Sequence, residues 1–482
     1  MPNTPEAVIA FYAINKIGAI SNMIHPLSAE EEIKQSLNAT NSMILITINI
    51  SYKRIKNIIN ETNVYKVVIA SASDSMPMLY KIGYAIKESG KIELPKKNEF
   101  YINWSDLLIR GKKYTGKTLV KTTKDMDAVI LHSGGTTGTP KNIVLTNGNI
   151  NTMIPQLHNV LPRLGPQDAI LSILPLFHCF GLVICTHVPL CIGVKEILIP
   201  QFDAKRFDKL ITKYKPTILA GVPTLYEALL TNKHMENVDL SNVNLILNGG
   251  DKMSAEKNEE VNNFFRRHGC REIITHGYGL TETSGPVIFS SKTPDKIGSL
   301  GIPLPGNELK IVDINTREEC IDGEIGEICI AGPTVMKGYL NNVKETNETL
   351  ELDKDGKIWV HTGDLGRLDK EGVLYYESRL KRMLIVSGYN VYPSHIEEVL
   401  LKHPAVETVG VVGIPHPYKV QVPKAYIVLK EGYKETWSLK KEIKDYCEKN
   451  LAHYMIPKEF EYRESLPKTM LGKVNYRELE CE

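Results

Sequence analysis

The chain has 482 residues, 42% of them hydrophobic and 24% charged, with a formal net charge of +2. That is ordinary globular composition, long enough for two or three domains with sizeable cores. So small a charge, without a basic tail, gives no basis for a nucleic-acid partner. The opening Met1-Pro2-Asn3-Thr4-Pro5-Glu6 lacks the basic start and apolar core of a signal peptide. Thr4 and Pro5 instead make a helix start, with Val8, Phe11 and Tyr12 as its apolar stripe and Gly18 as its stop. Residues 19–24 and 42–48 read as strands around a polar helix over 29–38, and residues 74–125 read as surface loops.

Regular strand and helix spacing resumes at Asp127 and runs to about Thr283, the signature of a layered α/β sheet. Within it the apolar run Ala128–Leu131 leads into His132-Ser133-Gly134-Gly135-Thr136-Thr137-Gly138-Thr139-Pro140-Lys141. Glycine admits backbone N–H groups close to phosphate oxygens, hydroxyls add donors, and lysine adds a point charge. The common phosphate-loop pattern is not met, because Pro140 stands where it needs glycine. Residues 169–194 carry no acidic or basic residue except His178 and His187. Pro175, Pro189 and Gly181 cut this stretch into pieces too short to span a membrane, so a buried core segment is expected. The eight cysteines form no C-x-x-C pair, and several sit in apolar runs, as expected of reduced thiols in cytoplasm.

From Gly298 the texture turns to short alternating runs between Gly- and Asn-rich turns, which predicts a small β-subdomain over about 297–379. After Arg379, two helical patterns and about three strands predict a separate α+β domain over 380–482. The expected architecture is thus α/β layers to about 296, the β-subdomain, and a small mobile C-terminal domain.

The order of motifs along the whole chain resembles the adenylate-forming superfamily, which includes acyl-CoA synthetases, luciferases and peptide-synthetase adenylation domains. The loop over 132–141 is similar to that family's grip on the β- and γ-phosphates of ATP, which implies ATP contacts from Ser133, Gly134, Gly135, Thr136, Thr137, Gly138 and Lys141. Asn142 departs from the family's usual glycine. Leu174-Pro175-Leu176-Phe177-His178 resembles the acyl-site motif, so His178 is assigned to the carboxylate pocket with Gly221, Thr224 and Gly277. Asn248-Gly249-Gly250-Asp251 matches the adenine-side turn. His276-Gly277-Tyr278-Gly279-Leu280-Thr281-Glu282 matches the motif that offers a ring to the purine, a hydroxyl to phosphate and, through Glu282, an oxygen to Mg²⁺. Asp364 and Arg379 match the ribose contacts, Lys381 the hinge, Ser387 and Gly388 the pantetheine passage, and Lys473 the catalytic lysine.

The resemblance implies activation of a carboxylic acid, in first place a medium- or long-chain fatty acid, by ATP and Mg²⁺ to acyl-AMP, then transfer to coenzyme A. Peripheral membrane contact through a lipid substrate is compatible with this reading. Two alternatives stay open: an adenylating enzyme that loads a carrier protein, and an inactive relative. The second arises because the family has several dozen residues ahead of the position matching Met1, so the N-terminus reads as shortened.

Overall fold

The computed structural model describes residues 1–88, 93–95, 98–133, 141–293, 295–386, 389–416, 420–469 and 473–481. Among these residues the strands fall into five sheets. The central one runs Ile302–Pro303, Gly285–Phe289, Ile274–Leu280, Leu245–Gly249, Ile218–Gly221, Ala169–Ser172, Lys195–Leu198. Its five strands from Ile274–Leu280 to Lys195–Leu198 are parallel, and the other two are antiparallel. The three middle strands, Leu245–Gly249, Ile218–Gly221 and Ala169–Ser172, are buried along their length and read as apolar runs because both faces are covered. One face packs on the uncharged segment through Phe180, Leu182, Val183 and Ile184, the other on helices through Tyr226, Val261 and Phe265.

The uncharged segment is broken as its prolines demand. Strand Ala169–Ser172 is followed by a loop, a π-helical stretch Phe180–His187 and the helix Val188–Cys191. Every residue of the π-helical stretch is buried, and no helix among the described residues is long and apolar enough to cross a membrane.

Three further sheets surround this core. Asp127–Ser133 and Lys141–Thr146 pair antiparallel, so the glycine-rich loop joins neighbouring strands. Ile44–Ile48, Lys66–Ala70 and Tyr101–Asn103 form a parallel sheet. Glu308–Val312, Gly326–Ala331, Ile358–Leu368 and Leu374–Arg379 form an antiparallel one. In the C-terminal part, Val406–His416 pairs with Val420–Leu429, and the helices Pro393–Leu401 and Trp437–Asn450 pack a core around Ile396, Ile427 and Ile443.

Residues 74–125 are less irregular than the sequence predicts. They contain helices Met78–Glu88 and Trp104–Lys112 and the short strand Tyr101–Asn103. The apolar side chains that would have marked the first helix face solvent: Met78, Leu79, Tyr80, Ile82 and Ile86 are all more than half exposed. Met78, Leu79, Ile82 and Ile86 do recur at helical spacing, a signal that the Gly- and Lys-rich surroundings masked.

Candidate active site

The carboxyl ends of the parallel strands form a crevice, the usual ligand position in such sheets. Register places three of the singled-out glycines side by side there: Gly249 pairs with Gly277, and Asn248 with both His276 and Gly221. Space is tight around them. A Cβ on Gly249 would lie 3.0 Å from the Phe180 ring, and one on Gly277 would lie 3.0 Å from Pro286 Cβ. A side chain at 249 would have to push the Phe180 ring aside by a few tenths of an ångström. Gly250 follows with φ of +81°, a conformation that glycine adopts without penalty. Asp251 beside it is exposed and accepts the Lys252 N–H at 2.9 Å, and Thr224 begins the helix Pro223–Thr231 just beyond Gly221.

His276 is locked in a chain of amides, with its Nδ1 3.1 Å from Asn248 Nδ2 and its Nε2 3.1 Å from Asn258 Oδ1. Burial pulls its pKa down to about 4, so the ring is neutral. Tyr278 donates its hydroxyl to Asp364 Oδ2 at 2.8 Å. Asp364 is directly opposite Arg379 across two strands, and Arg379 Nε lies 2.9 Å from Asp364 Oδ1. That pair is in ion-pair contact, yet Oδ1 receives no aligned hydrogen bond, leaving an acceptor direction open on a buried carboxylate. Burial raises the Asp364 pKa and the guanidinium opposes the rise.

Glu282 lies in the single turn Thr281–Thr283, which Thr283 pins by accepting the Leu280 N–H at 2.9 Å and donating to Gly285 O at 2.9 Å. The Tyr339 hydroxyl donates to Glu282 Oε1 at 2.9 Å and accepts from Lys141 Nζ at 3.3 Å. Lys141 is also ion-paired to Glu345 at 2.6 Å. Tyr339 and Glu345 carry no motif of their own and were not singled out from the sequence.

His178 lies where the acyl-site loop turns into the π-helical stretch. Its Nδ1 accepts the Phe180 N–H at 3.3 Å, and burial, with a smaller contribution from the Lys473 charge, holds its pKa to about 4. Asn3 supports this loop from the start of the chain. Its amide donates to Ser172 O at 3.0 Å and Leu174 O at 2.8 Å, and its Oδ1 accepts the Leu176 N–H at 3.0 Å.

Lys473 comes from the C-terminal part. Its ammonium donates to Gly250 O, and its charge is felt by both His178 and Asp364. Lys252 pairs with Glu398 on the same face. Lys381 is exposed in the single turn Leu380–Arg382, immediately after Arg379. Gly134, Gly135, Thr136, Thr137, Gly138, Ser387 and Gly388 lie outside the described residues. Ser133 and Lys141, the ends of the glycine-rich loop, are register partners. Asn142 has a plain structural explanation: its Oδ1 is 2.8 Å from His132 Nδ1, and His132 Nε2 is 2.6 Å from Asn22 Oδ1. The amide and imidazole clamp the base of the loop.

A cavity of about 670 Å³ opens on the far side of His276 against helix Ala255–Arg267, with Glu256, Glu259, Arg266 and Lys296 on its walls, charged groups unsuited to an alkyl chain.

The family model for AMP-binding enzymes matches residues 1–340, and that for the AMP-binding enzyme C-terminal domain matches 395–473. The chain belongs to the AMP-binding enzyme family. This enzyme is 34% identical to a long-chain-fatty-acid–CoA ligase of Bacillus subtilis, over 99% of the chain and 84% of the relative. It is 30% identical to 4-coumarate:CoA ligase 1 of Petunia hybrida, over 99% and 82%. Among solved structures, an anthranilate CoA ligase in complex with anthranoyl-AMP superposes with a TM-score of 0.83 at 26% identity, covering 99% of the chain and 85% of that structure. The enzyme is accordingly an AMP-forming acid–CoA ligase, with ATP, coenzyme A and a carboxylic acid as its substrates.

Proposed function

We propose that the acid is a medium- or long-chain fatty acid, and that the side chains converging on the strand-end crevice are the adenylation site. The observation that carries the site is the arrival of Lys473 at Gly250 O, within electrostatic reach of both Asp364 and His178. The fatty acid is supported by the relatives of that name and by the buried, mostly apolar stretch behind His178.

In the first half-reaction a carboxylate oxygen of the acid attacks the α-phosphorus of ATP and pyrophosphate leaves. Both reactants are anions, so positive charge where negative charge accumulates is the dominant requirement. Lys473 supplies it in this reading, and Lys141 releases Glu345 to meet the triphosphate. Asp364, with its open acceptor direction, takes the ribose hydroxyls, held in place by Tyr278 and Arg379. Glu282 fits Mg²⁺, being a half-buried hard oxygen donor next to the phosphate-loop lysine. Bound there, the ion would neutralise phosphate charge. His178, neutral at physiological pH, orients the carboxylate through hydrogen bonding instead of charge.

In the second half-reaction the coenzyme A sulfur attacks the acyl carbon and AMP leaves. Lys473 has no role in that step, and Ser387 and Gly388 are the proposed passage for the pantetheine arm. Both lie beyond Lys381, which makes a rotation of the C-terminal domain about that residue the natural exchange.

The test is a panel of acids from acetate to oleate, with aryl acids, incubated with ATP, Mg²⁺ and coenzyme A. Pyrophosphate release should peak at acyl chains of about eight carbons or more, with stoichiometric AMP and acyl-CoA, as a deep apolar pocket favours longer chains. A peak at an aryl or short acid would overturn the substrate class. Pyrophosphate release without acyl-CoA would favour a carrier-protein acceptor.

A further inference from the structure

A cluster of metal-ligating side chains lies outside the adenylation site, in the antiparallel sheet behind the Asp364 turn. Glu327 and Cys329 alternate along strand Gly326–Ala331 and so project to one face. His361 is the register partner of Cys329 on strand Ile358–Leu368. Glu327 Oε2 lies 2.9 Å and Cys329 Sγ 3.4 Å from His361 Nδ1, and the three donor atoms all fall within 4.8 Å of one another. All three side chains are nine-tenths or more buried.

We propose that Glu327, Cys329 and His361 form a binding site for a borderline-soft divalent cation of the Zn²⁺ class. A thiolate, an imidazole and a carboxylate are the donor set such an ion selects over Mg²⁺. Metal–ligand bonds of about 2.0–2.3 Å put tetrahedral donors about 3.3–3.8 Å apart. The imidazole–thiol separation already fits, and the imidazole–carboxylate pair needs to open by only a few tenths of an ångström. His361 Nε2 is 2.7 Å from Glu351 Oε2, the outer carboxylate that orients a metal-binding imidazole and fixes its tautomer.

Arg317 marks where the cation goes. Its Nη1 is 3.0 Å from His361 Nδ1 and 3.1 Å from Glu327 Oε2, so a guanidinium faces the same donors. Its side chain is 60% exposed and can swing into solvent, leaving the outward position for a water as fourth ligand. Binding would replace the guanidinium, and the Cys329 thiol and His361 Nδ1, whose ring faces a carboxylate at each nitrogen, would each release a proton to solvent as the metal–sulfur and metal–nitrogen bonds form. The site touches the nucleotide grip, since Glu327 Oε1 accepts the Gly363 N–H at 3.0 Å, one residue before Asp364.

Co²⁺ serves as the spectroscopic probe, titrated into the full-length enzyme with the exposed Cys191 and Cys481 replaced by serine. The expected result is one equivalent of Co²⁺ giving a thiolate charge-transfer band, with two protons released, and with Zn²⁺ abolishing the band by competition. Cys329→Ala and His361→Gln should eliminate the band, and Glu351→Gln should weaken binding about 10- to 100-fold. Arg317→Gln should tighten binding several-fold, a gain that misfolding cannot mimic. The proposal is overturned if the parent gives no band, if the band survives in Cys329→Ala, or if Arg317→Gln leaves the affinity unchanged or weaker.

Discussion

The nucleotide grip and the lysine loop are built in opposite ways. In the grip, each charged group already has a partner within the protein: Asp364 has Tyr278 and Arg379, Glu282 has Tyr339, Lys141 has Glu345. These residues sit on strands or strand-end turns whose positions the sheet fixes. Lys473 sits on a loop, and the contacts seen for it are a carbonyl at Gly250 and the Thr469 hydroxyl within its own loop. The contrast teaches a division of labour. In the proposed mechanism, ATP binding in the grip is an exchange of partners on a rigid frame, whereas the charge needed for chemistry is brought by a part that can leave.

The largest effect should come from the mobile side. Lys473→Ala is expected to slow acyl-AMP formation about a hundred- to a thousandfold, measured as pyrophosphate release, while ATP affinity changes little. A variant that loses ATP binding to the same degree would erase the distinction between grip and lysine. On the rigid side, Asp364→Asn removes a charged acceptor worth about 1.5–3 kcal/mol, so the KM for ATP should rise about ten- to hundredfold. An effect confined to kcat would mean that Asp364 does not hold the nucleotide.

Acidification should also strike the rigid side. Burial holds His178, His187 and His276 to about 4, against 6.5 when exposed. The unfolded chain therefore binds more protons between those values, and stability is full above about pH 6.5 and falls as pH drops towards 4. Each histidine contributes about 1.4 kcal/mol per pH unit in that window. Urea midpoints at pH 7.5 and 5.5 should differ accordingly, and His276→Gln should reduce the difference. Equal midpoints would show that these rings are not held neutral by the fold.

The smallest effect concerns the exchange of partners itself. Glu345 competes with the triphosphate for Lys141, and the pair is partly exposed, so Glu345→Gln should lower the KM for ATP only a few-fold at unchanged kcat. A raised KM would mean that Glu345 positions the lysine for ATP.

The proposed site residues stand out in the sequence because they sit in motifs with unusual local chemistry. Asp364 in a glycine turn, Glu282 between threonines and Lys473 between Pro467 and Gly472 are all visible without a fold. The groups that tie them together were not. Tyr339 reaches Glu282 and Lys141 across 57 and 198 residues of chain, and Asn3 reaches the acyl-site loop across more than 160. Neither carries a pattern of its own; each is a single polar side chain whose partner is set by tertiary packing. Asn142 shows the same limit from the other side. As a departure from a family pattern it looked like a defect in the phosphate loop, and its contact with His132 makes it a clamp. The helix Met78–Glu88 was missed for a different reason, since its helical apolar spacing lies in a stretch rich in glycine and lysine that reads as loop.

The division of labour is tested most directly by the second half-reaction alone. Purified acyl-AMP and coenzyme A are mixed with Lys473→Ala in single-turnover conditions, and acyl-CoA formation is timed against the unsubstituted enzyme. A rate within a few-fold of the unsubstituted enzyme is the predicted result, because the lysine acts only where charge develops at the α-phosphate. A fall matching the loss in acyl-AMP formation would contradict the account, placing Lys473 in a site that serves both steps without rearrangement.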